Sequence, residues 1–150
     1  MYKKILMPTD GSALSERAAA AAIALARGCG ADIVALSVAQ PCFPILSAAT
    51  PERGRESELD RMREAAARHA DRVARLARNA GVPCSSVTVA SPDPADAIIR
   101  AALDLHCDLI LIAAHGQRGL TRLIAGSVPQ RVLAYSPVPV ILFHGNTEPA

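Results

Sequence analysis

The sequence predicts an α/β fold in which helices cover both faces of a parallel sheet. Apolar runs of strand length alternate with longer stretches of helical periodicity along the 150 residues, as in successive crossover units. The run 109–113 is apolar throughout, as expected for a central strand buried on both faces. Because no repeat, low-complexity tract or linker interrupts the chain, we expect one domain spanning residues 1–150.

Five apolar runs have the length and flanking residues of strands. They lie at residues 4–8, 32–38, 85–90, 108–113 and 138–143. Residues 40–55 contain three prolines and are predicted to form a long loop between the second and third strands.

Glycines and a capping serine mark the first two helices. Ser12 is placed to cap the first helix, which we expect to end at Gly28. An amphipathic second helix is predicted over residues 56–80, with Gly81 at its end.

The last two helices have stronger start signals. Asp93 followed by Pro94 predicts a capped third helix with proline at its first position. The run from Ser127 to Gln130 matches the capping-box pattern, with proline in the first turn, so the fourth helix is expected to begin at Ser127.

Composition argues against several function classes. The net charge of +2, with two Tyr, two Phe and no Trp, gives little basis for a nucleic-acid partner. Apolar runs such as 18–26 are shorter than the roughly 20 residues of a membrane span, so we expect no membrane partner and a cytoplasmic location. The four cysteines lack the spacing of metal ligands, so reduced thiols and no metal site are expected.

The region from the fourth strand to the fourth helix is the main candidate for ligand binding. Gly126 precedes the helix start at Ser127, where free N–H groups and the helix dipole favour an anion. Residues 115–119 follow the carboxyl end of a strand, where open sheets bind ligands. Residues 109–147 contain three arginines and no acidic residue, which suits an anionic ligand and equally an ordinary solvated surface.

Asp10 belongs to a second candidate segment, Pro8-Thr9-Asp10-Gly11-Ser12, which follows the first strand. Its carboxylate is suited to accept hydrogen bonds from sugar hydroxyls. It is equally suited to brace the first turn of the following helix, and the spacing does not decide between these roles. His69, on the second helix, is expected to pack or to be partly exposed rather than to bind a ligand.

The order and spacing of four segments resemble the universal stress protein family over the whole chain. The segments are residues 2–12, 115–120, 126–128 and 136–140. The resemblance implies a three-layer, Rossmann-like α/β/α fold with strand order 3-2-1-4-5. Members that bind ATP share the pattern G-x-x-G, nine residues, then G followed by Ser or Thr. Gly116, Gly126 and Ser127 match it, whereas Ala113 replaces its first glycine.

The resemblance also implies where a nucleotide binds. It places Asp10 at the ribose and Val38 at the adenine, with the phosphates near the loop and the start of the fourth helix. The implied nucleotide-binding set is Pro8, Thr9, Asp10, Val38, Ala113, Gly116, Gln117, Arg118, Gly126, Ser127 and Val128. The cofactor would be ATP, with Mg²⁺ held through the phosphates. The methyl group of Ala113 is tolerable at negative φ and obstructive at positive φ.

A homodimer is implied as well, through pairing of the last strand across a two-fold axis. The residues concerned are Val140, Ile141, Leu142 and Phe143. Self-pairing of an apolar edge strand satisfies its unpaired backbone groups, so the expectation is physically reasonable.

The leading hypothesis is an adenine-nucleotide-binding regulatory or stress-response module with at most slow ATP hydrolysis. The alternative is a universal stress protein that does not bind nucleotide and acts as a dimeric interaction protein; Ala113 supports it. Adenylating enzymes and serine hydrolases are disfavoured because S-G-G-x-D, H-x-G-H and G-x-S-x-G are all missing from the sequence.

Overall fold

The protein folds into a parallel sheet with helices on both faces. The structure is a computed structural model and describes residues 1–41, 52–114 and 127–145. The elements in chain order are β1 (Lys4–Pro8), α1 (Ala13–Cys29), β2 (Asp32–Ala39), α2 (Glu52–Asn79), β3 (Cys84–Ala90), α3 (Pro94–Asp104), β4 (Leu109–Ala114), α4 (Val128–Tyr135) and β5 (Val140–His144). The sheet order β3-β2-β1-β4-β5 confirms the predicted α/β fold and its strand order.

The two faces of the sheet bury separate apolar clusters. Ile5, Met7 and Leu109 point to the face covered by α1 and α2. Leu6 and Ile110 point to the other face, which α3 and α4 cover. Adjacent strand residues therefore serve opposite layers, which explains why the central strands have no polar face.

Three of the predicted helix starts are confirmed by their caps. Ser12 accepts a hydrogen bond from the backbone N–H of Ser15, and Asp93 accepts one from that of Asp96. Ser127 accepts one from the N–H of Gln130. These caps depend on side chains within three residues, so local sequence is enough to predict them.

Three boundaries differ from the prediction by two residues or more, and several strand ends differ by one. Gly28 lies inside α1, and Gly30 ends the helix because it adopts the left-handed conformation at φ 72°. Helix α2 begins at Glu52, within the predicted loop. Strand β5 begins at Val140 because residues 136–138 form a turn in which the Ser136 hydroxyl bonds both backbone groups of Val138.

Asp108 connects the start of β4 to the start of β1. Its carboxylate accepts hydrogen bonds from the backbone N–H groups of Lys3, at 2.9 Å, and Lys4, at 3.0 Å. Partial burial opposes ionisation, but these bonds and the nearby N-terminal charge outweigh it and lower the pKa of Asp108. The ionised side chain therefore stabilises the pairing of two central strands.

We expect Asp108→Ala to lower the free energy of unfolding by about 1 kcal/mol at pH 7, the usual net value of such bonds in a partly exposed site. Because the folded pKa lies below the ordinary value of 3.8, this stabilisation is complete above pH 3.8 and disappears as the pH falls through the folded pKa. Urea unfolding of both proteins across this pH range measures the difference.

Asp104→Ala is the matched control, since Asp104 is an exposed carboxylate at the end of α3. It should cost nothing, because a negative charge at a helix C-terminus is unfavourable. An Asp108→Ala penalty that persists unchanged well below pH 3.8 would contradict the assignment.

Candidate nucleotide-binding site

A cavity of about 370 Å³ lies at the carboxyl edge of the sheet, beside the point where β1 and β4 adjoin and the connections diverge. Its volume is within the range of small-molecule sites. Strand ends and the first turns of α1, α3 and α4 supply its lining: Pro8, Thr9, Asp10, Ser15, Leu36, Val38, Gln40, Pro94, Ile98, Ile112, Ala113, Ser127, Val128 and Pro129.

The floor and the rim of the cavity differ in chemistry. Leu36, Ile98 and Ile112 are buried and apolar, and they give the floor the character needed to hold a planar ring. The rim carries the polar groups of Asp10, Ser15 and other residues. Three helix N-termini converge here, and the positive ends of their dipoles favour a negatively charged ligand group.

Asp10 braces the turn between β1 and α1. Its Oδ1 accepts hydrogen bonds from the backbone N–H of Ser12, at 2.9 Å, and from the Ser15 hydroxyl, at 2.6 Å. Burial opposes ionisation, but the bonds from Ser12 and Ser15 lower the pKa of Asp10 below its ordinary value. Among the described residues Oδ2 has no bonding partner, and Asp10 itself belongs to the cavity lining.

The turn itself is held by a second contact that the sequence did not indicate. Gly11 has φ +82°, and a Cβ placed there would overlap the imidazole of His69, which reaches over from α2. His69 is half-buried, in agreement with its predicted packing role. The carboxylate of Asp10 is therefore positioned by an α1 serine, by its own turn and by an α2 histidine that supports that turn.

Ser127 and Val128 form the part of the rim that belongs to α4. The Ser127 hydroxyl accepts the N–H of Gln130 at 3.4 Å, and Pro129 has no N–H. Within the described ranges no acceptor is found for the N–H of Val128. This first turn is thus suited to bind an anion through its backbone.

Ala113 lies in the regular part of β4 and pairs with Phe143 of β5. Its φ is not among the positive values, so its backbone conformation does not require glycine. This backbone conformation is the one under which its methyl group was expected to be tolerable; whether a nucleotide binds beside it stays a prediction.

Arg131 is one of the three arginines in residues 109–147 that suited either an anionic ligand or an ordinary solvated surface. Its guanidinium forms two hydrogen bonds with the carboxylate of Asp93, at 3.0 and 3.2 Å. The hydrogen bond from Arg131 is the main cause of the lowered pKa of Asp93. The charge of Arg131 is therefore neutralised by Asp93.

The predicted nucleotide-binding residues divide into two groups. Seven of them line the one cavity: Pro8, Thr9, Asp10, Val38, Ala113, Ser127 and Val128. Gly116, Gln117, Arg118 and Gly126 lie outside the described residues, so their placement stays a prediction.

Sequence reasoning missed most of the apolar lining and two polar residues, Ser15 and Gln40. Ser15 could have been found, because it is a polar residue at helical spacing from the apolar face of α1, directly after the Asp10 segment. Leu36 and Ile112 give no such signal, since core and cavity residues in a buried strand look alike in sequence.

In the part of the chain that the structure describes, no helix is both long and apolar enough to cross a bilayer. Within the same residues, His, Cys, Asp and Glu side chains form no group of three or more that could hold a metal ion.

Comparison with known proteins gives consistent matches along the chain. A universal stress protein from Thermus aquaticus is 33% identical over 143 residues, covering 95% of this chain and 98% of that protein. The universal stress protein MJ0531 of Methanocaldococcus jannaschii is 31% identical, covering 95% and 82%. The solved structure of hypothetical protein MJ0577 is 26% identical with a TM-score of 0.81, covering 99% of each chain.

Three more distant solved members share the fold, with TM-scores of 0.63–0.67 and identities of 18–23%. One was solved in complex with cAMP, one from Archaeoglobus fulgidus with dAMP, and one from Arabidopsis thaliana with AMP. The model of the universal stress protein family matches residues 1–144. Together with the relatives that are more than 30% identical over 95% of the chain, this match establishes that the chain belongs to the universal stress protein family.

Proposed function

We propose that this protein binds ATP in the cavity at the carboxyl edge of the sheet and acts as a dimeric regulatory or stress-response module with at most slow hydrolysis. The observation that carries the proposal is the cavity itself, which joins an apolar floor to a rim bearing Asp10 and the first turn of α4. In this proposal the base rests on the apolar floor and the ribose lies at Asp10. The phosphates lie at Ser127 and Val128, in the first turn of α4.

Adenine nucleotides in other members support the choice of ligand. Distant structures hold AMP, cAMP or dAMP on the same fold. Asp10 adds support from this chain. Its Oδ1 forms the bonds of the turn, and because the side chain is exposed, Oδ2 would be the oxygen that accepts hydrogen bonds from the ribose hydroxyls. Gly116, Gln117, Arg118 and Gly126 would complete the phosphate end, and Mg²⁺ would be held mainly by the phosphates themselves.

The dimer in this proposal forms through Val140 to Phe143 of β5, the strand that pairs with β4 at the end of the sheet order. Ile141 is 39% exposed, which is the exposure expected of an apolar edge-strand residue that a second chain would cover. Equilibrium sedimentation should give twice the chain mass.

Calorimetric titration with Mg-ATP tests the binding proposal. We expect about one nucleotide per chain, and Asp10→Ala should weaken binding at least about tenfold through the lost ribose contact and loosened turn. Asp104→Ala removes a carboxylate of similar exposure away from the cavity and should leave the Kd unchanged. The absence of binding at millimolar ATP would reject the proposal.

Ala113→Gly separates the proposal from its alternative, a family member that does not bind nucleotide. Since Ala113 has no positive φ, we expect the variant to bind ATP within about threefold of the original chain. Binding seen in the Ala113→Gly variant and not in the original chain would assign the loss to the methyl group and favour the interaction-protein alternative.

A further inference from the structure

One ion pair joins the starts of the two helices that flank the cavity on the same side of the sheet. Asp93 is the N-cap of α3, and Arg131 is in the first turn of α4. Both terminal nitrogens of the guanidinium contact the carboxylate, Nη1 to Oδ1 at 3.0 Å and Nη2 to Oδ2 at 3.2 Å. Two parallel bonds fix orientation as well as distance, which a single contact does not.

Each partner is one bond away from residues that line the cavity. Asp93 directly precedes Pro94, and the backbone N–H of Arg131 donates to the carbonyl of Ser127 at 3.0 Å. Neither Asp93 nor Arg131 lines the cavity. Their effect on a ligand would therefore pass through the two helix starts.

The pair lies at the exposed edge of the apolar contact between α3 and α4. Val132 is fully buried in the cluster that includes Ala95 and Ile98 of α3, whereas the side chains of Arg131 and Asp93 are about 40% exposed. Helix α4 has eight residues, too few to be stable alone, so its orientation depends on such tertiary contacts.

We propose that the Asp93–Arg131 pair is a positioning contact: it holds the first turn of α4 against that of α3 and thereby sets how tightly the cavity binds the phosphates of its nucleotide. The inference rests on the proposed function, which assigns the phosphates to α4. An exposed ion pair contributes little to the free energy of unfolding. We therefore expect the Asp93–Arg131 pair to affect the position of α4 and the affinity for the phosphates rather than global stability.

The test compares Arg131→Gln and Asp93→Asn with the original chain by titration with Mg-ATP and with adenosine. Asp93→Asn keeps the oxygen that caps α3 but removes the carboxylate. We expect each variant to weaken ATP binding about tenfold and adenosine binding much less, because only ATP reaches α4. Arg100→Gln is the control, since it removes an ion pair with Asp96 on the exposed face of the same helix α3.

Three outcomes would overturn the inference. Equal losses for ATP and adenosine would indicate a general structural effect. Unchanged affinities would show that the pair positions nothing. Tighter ATP binding by Asp93→Asn would show that Arg131, once released, binds phosphate directly.

Hydrogen exchange separates failure of this inference from failure of the proposed function. Without nucleotide, the amides of Gln130 and of residue 131, which donate to Ser127, should exchange faster in Arg131→Gln than in the original chain and in Arg100→Gln. If the original chain binds no ATP, the proposed function fails while exchange still tests the contact. Unchanged exchange in Arg131→Gln would overturn the positioning role whatever the nucleotide result.

Discussion

Leu36→Ala is expected to lower the free energy of unfolding by about 2–4 kcal/mol and to weaken adenosine and ATP binding about tenfold. Leu36 is fully buried in β2 and lies at the floor of the cavity. Truncation removes contacts within the core and leaves a hollow directly beneath the surface on which a base would rest. Urea unfolding measures the first effect and calorimetric titration the second.

Ile110→Ala is the matched control for this substitution. Ile110 is equally buried, belongs to the same apolar cluster and does not line the cavity. Its stability loss should be similar, while its Kd should stay within about twofold, since a domain of ordinary stability remains folded after such a loss. Equal changes in Kd for the two variants would contradict the assignment of Leu36 to the binding surface.

Gly11→Ala is expected to destabilise the protein by about 2–3 kcal/mol, because an L residue at φ +82° is strained and the new methyl group displaces His69. Asp10 is the neighbouring residue, so ATP binding should weaken as well. Urea unfolding together with ATP titration measures both effects.

Two other glycines separate these causes. Gly30 has φ +72° and open space around its Cβ position, so Gly30→Ala should show the backbone cost alone, about 1–2 kcal/mol. Gly28 also has open space and lies within α1, so Gly28→Ala should stabilise by about 0.5–1 kcal/mol. Gly11→Ala measured in a His69→Ala background should approach the Gly30→Ala cost; an unchanged penalty would exclude the steric effect of His69.

Some features of the site were predictable because they depend on neighbours in sequence. Ser127 caps α4 through a residue three positions on, and the Pro8 to Ser12 segment follows a strand whose end must open onto the sheet edge. Asp10 shows where such reasoning stops. From the sequence, bracing the turn and binding a ligand were equally suitable roles for Asp10. Only the structure shows that one of its carboxylate oxygens bonds within the turn.

Apolar period and local hydrogen bonds made three features predictable from the sequence alone: the alternation of strands and helices, the interior position of β4 in the sheet, and the caps of three helices. Family resemblance supplied the strand order. Packing between elements is what places His69 over Gly11 and pairs Asp93 with Arg131, 38 positions away. Such contacts depend on how separate elements pack against one another. The residues next to a side chain in sequence therefore do not indicate which distant residue it will contact.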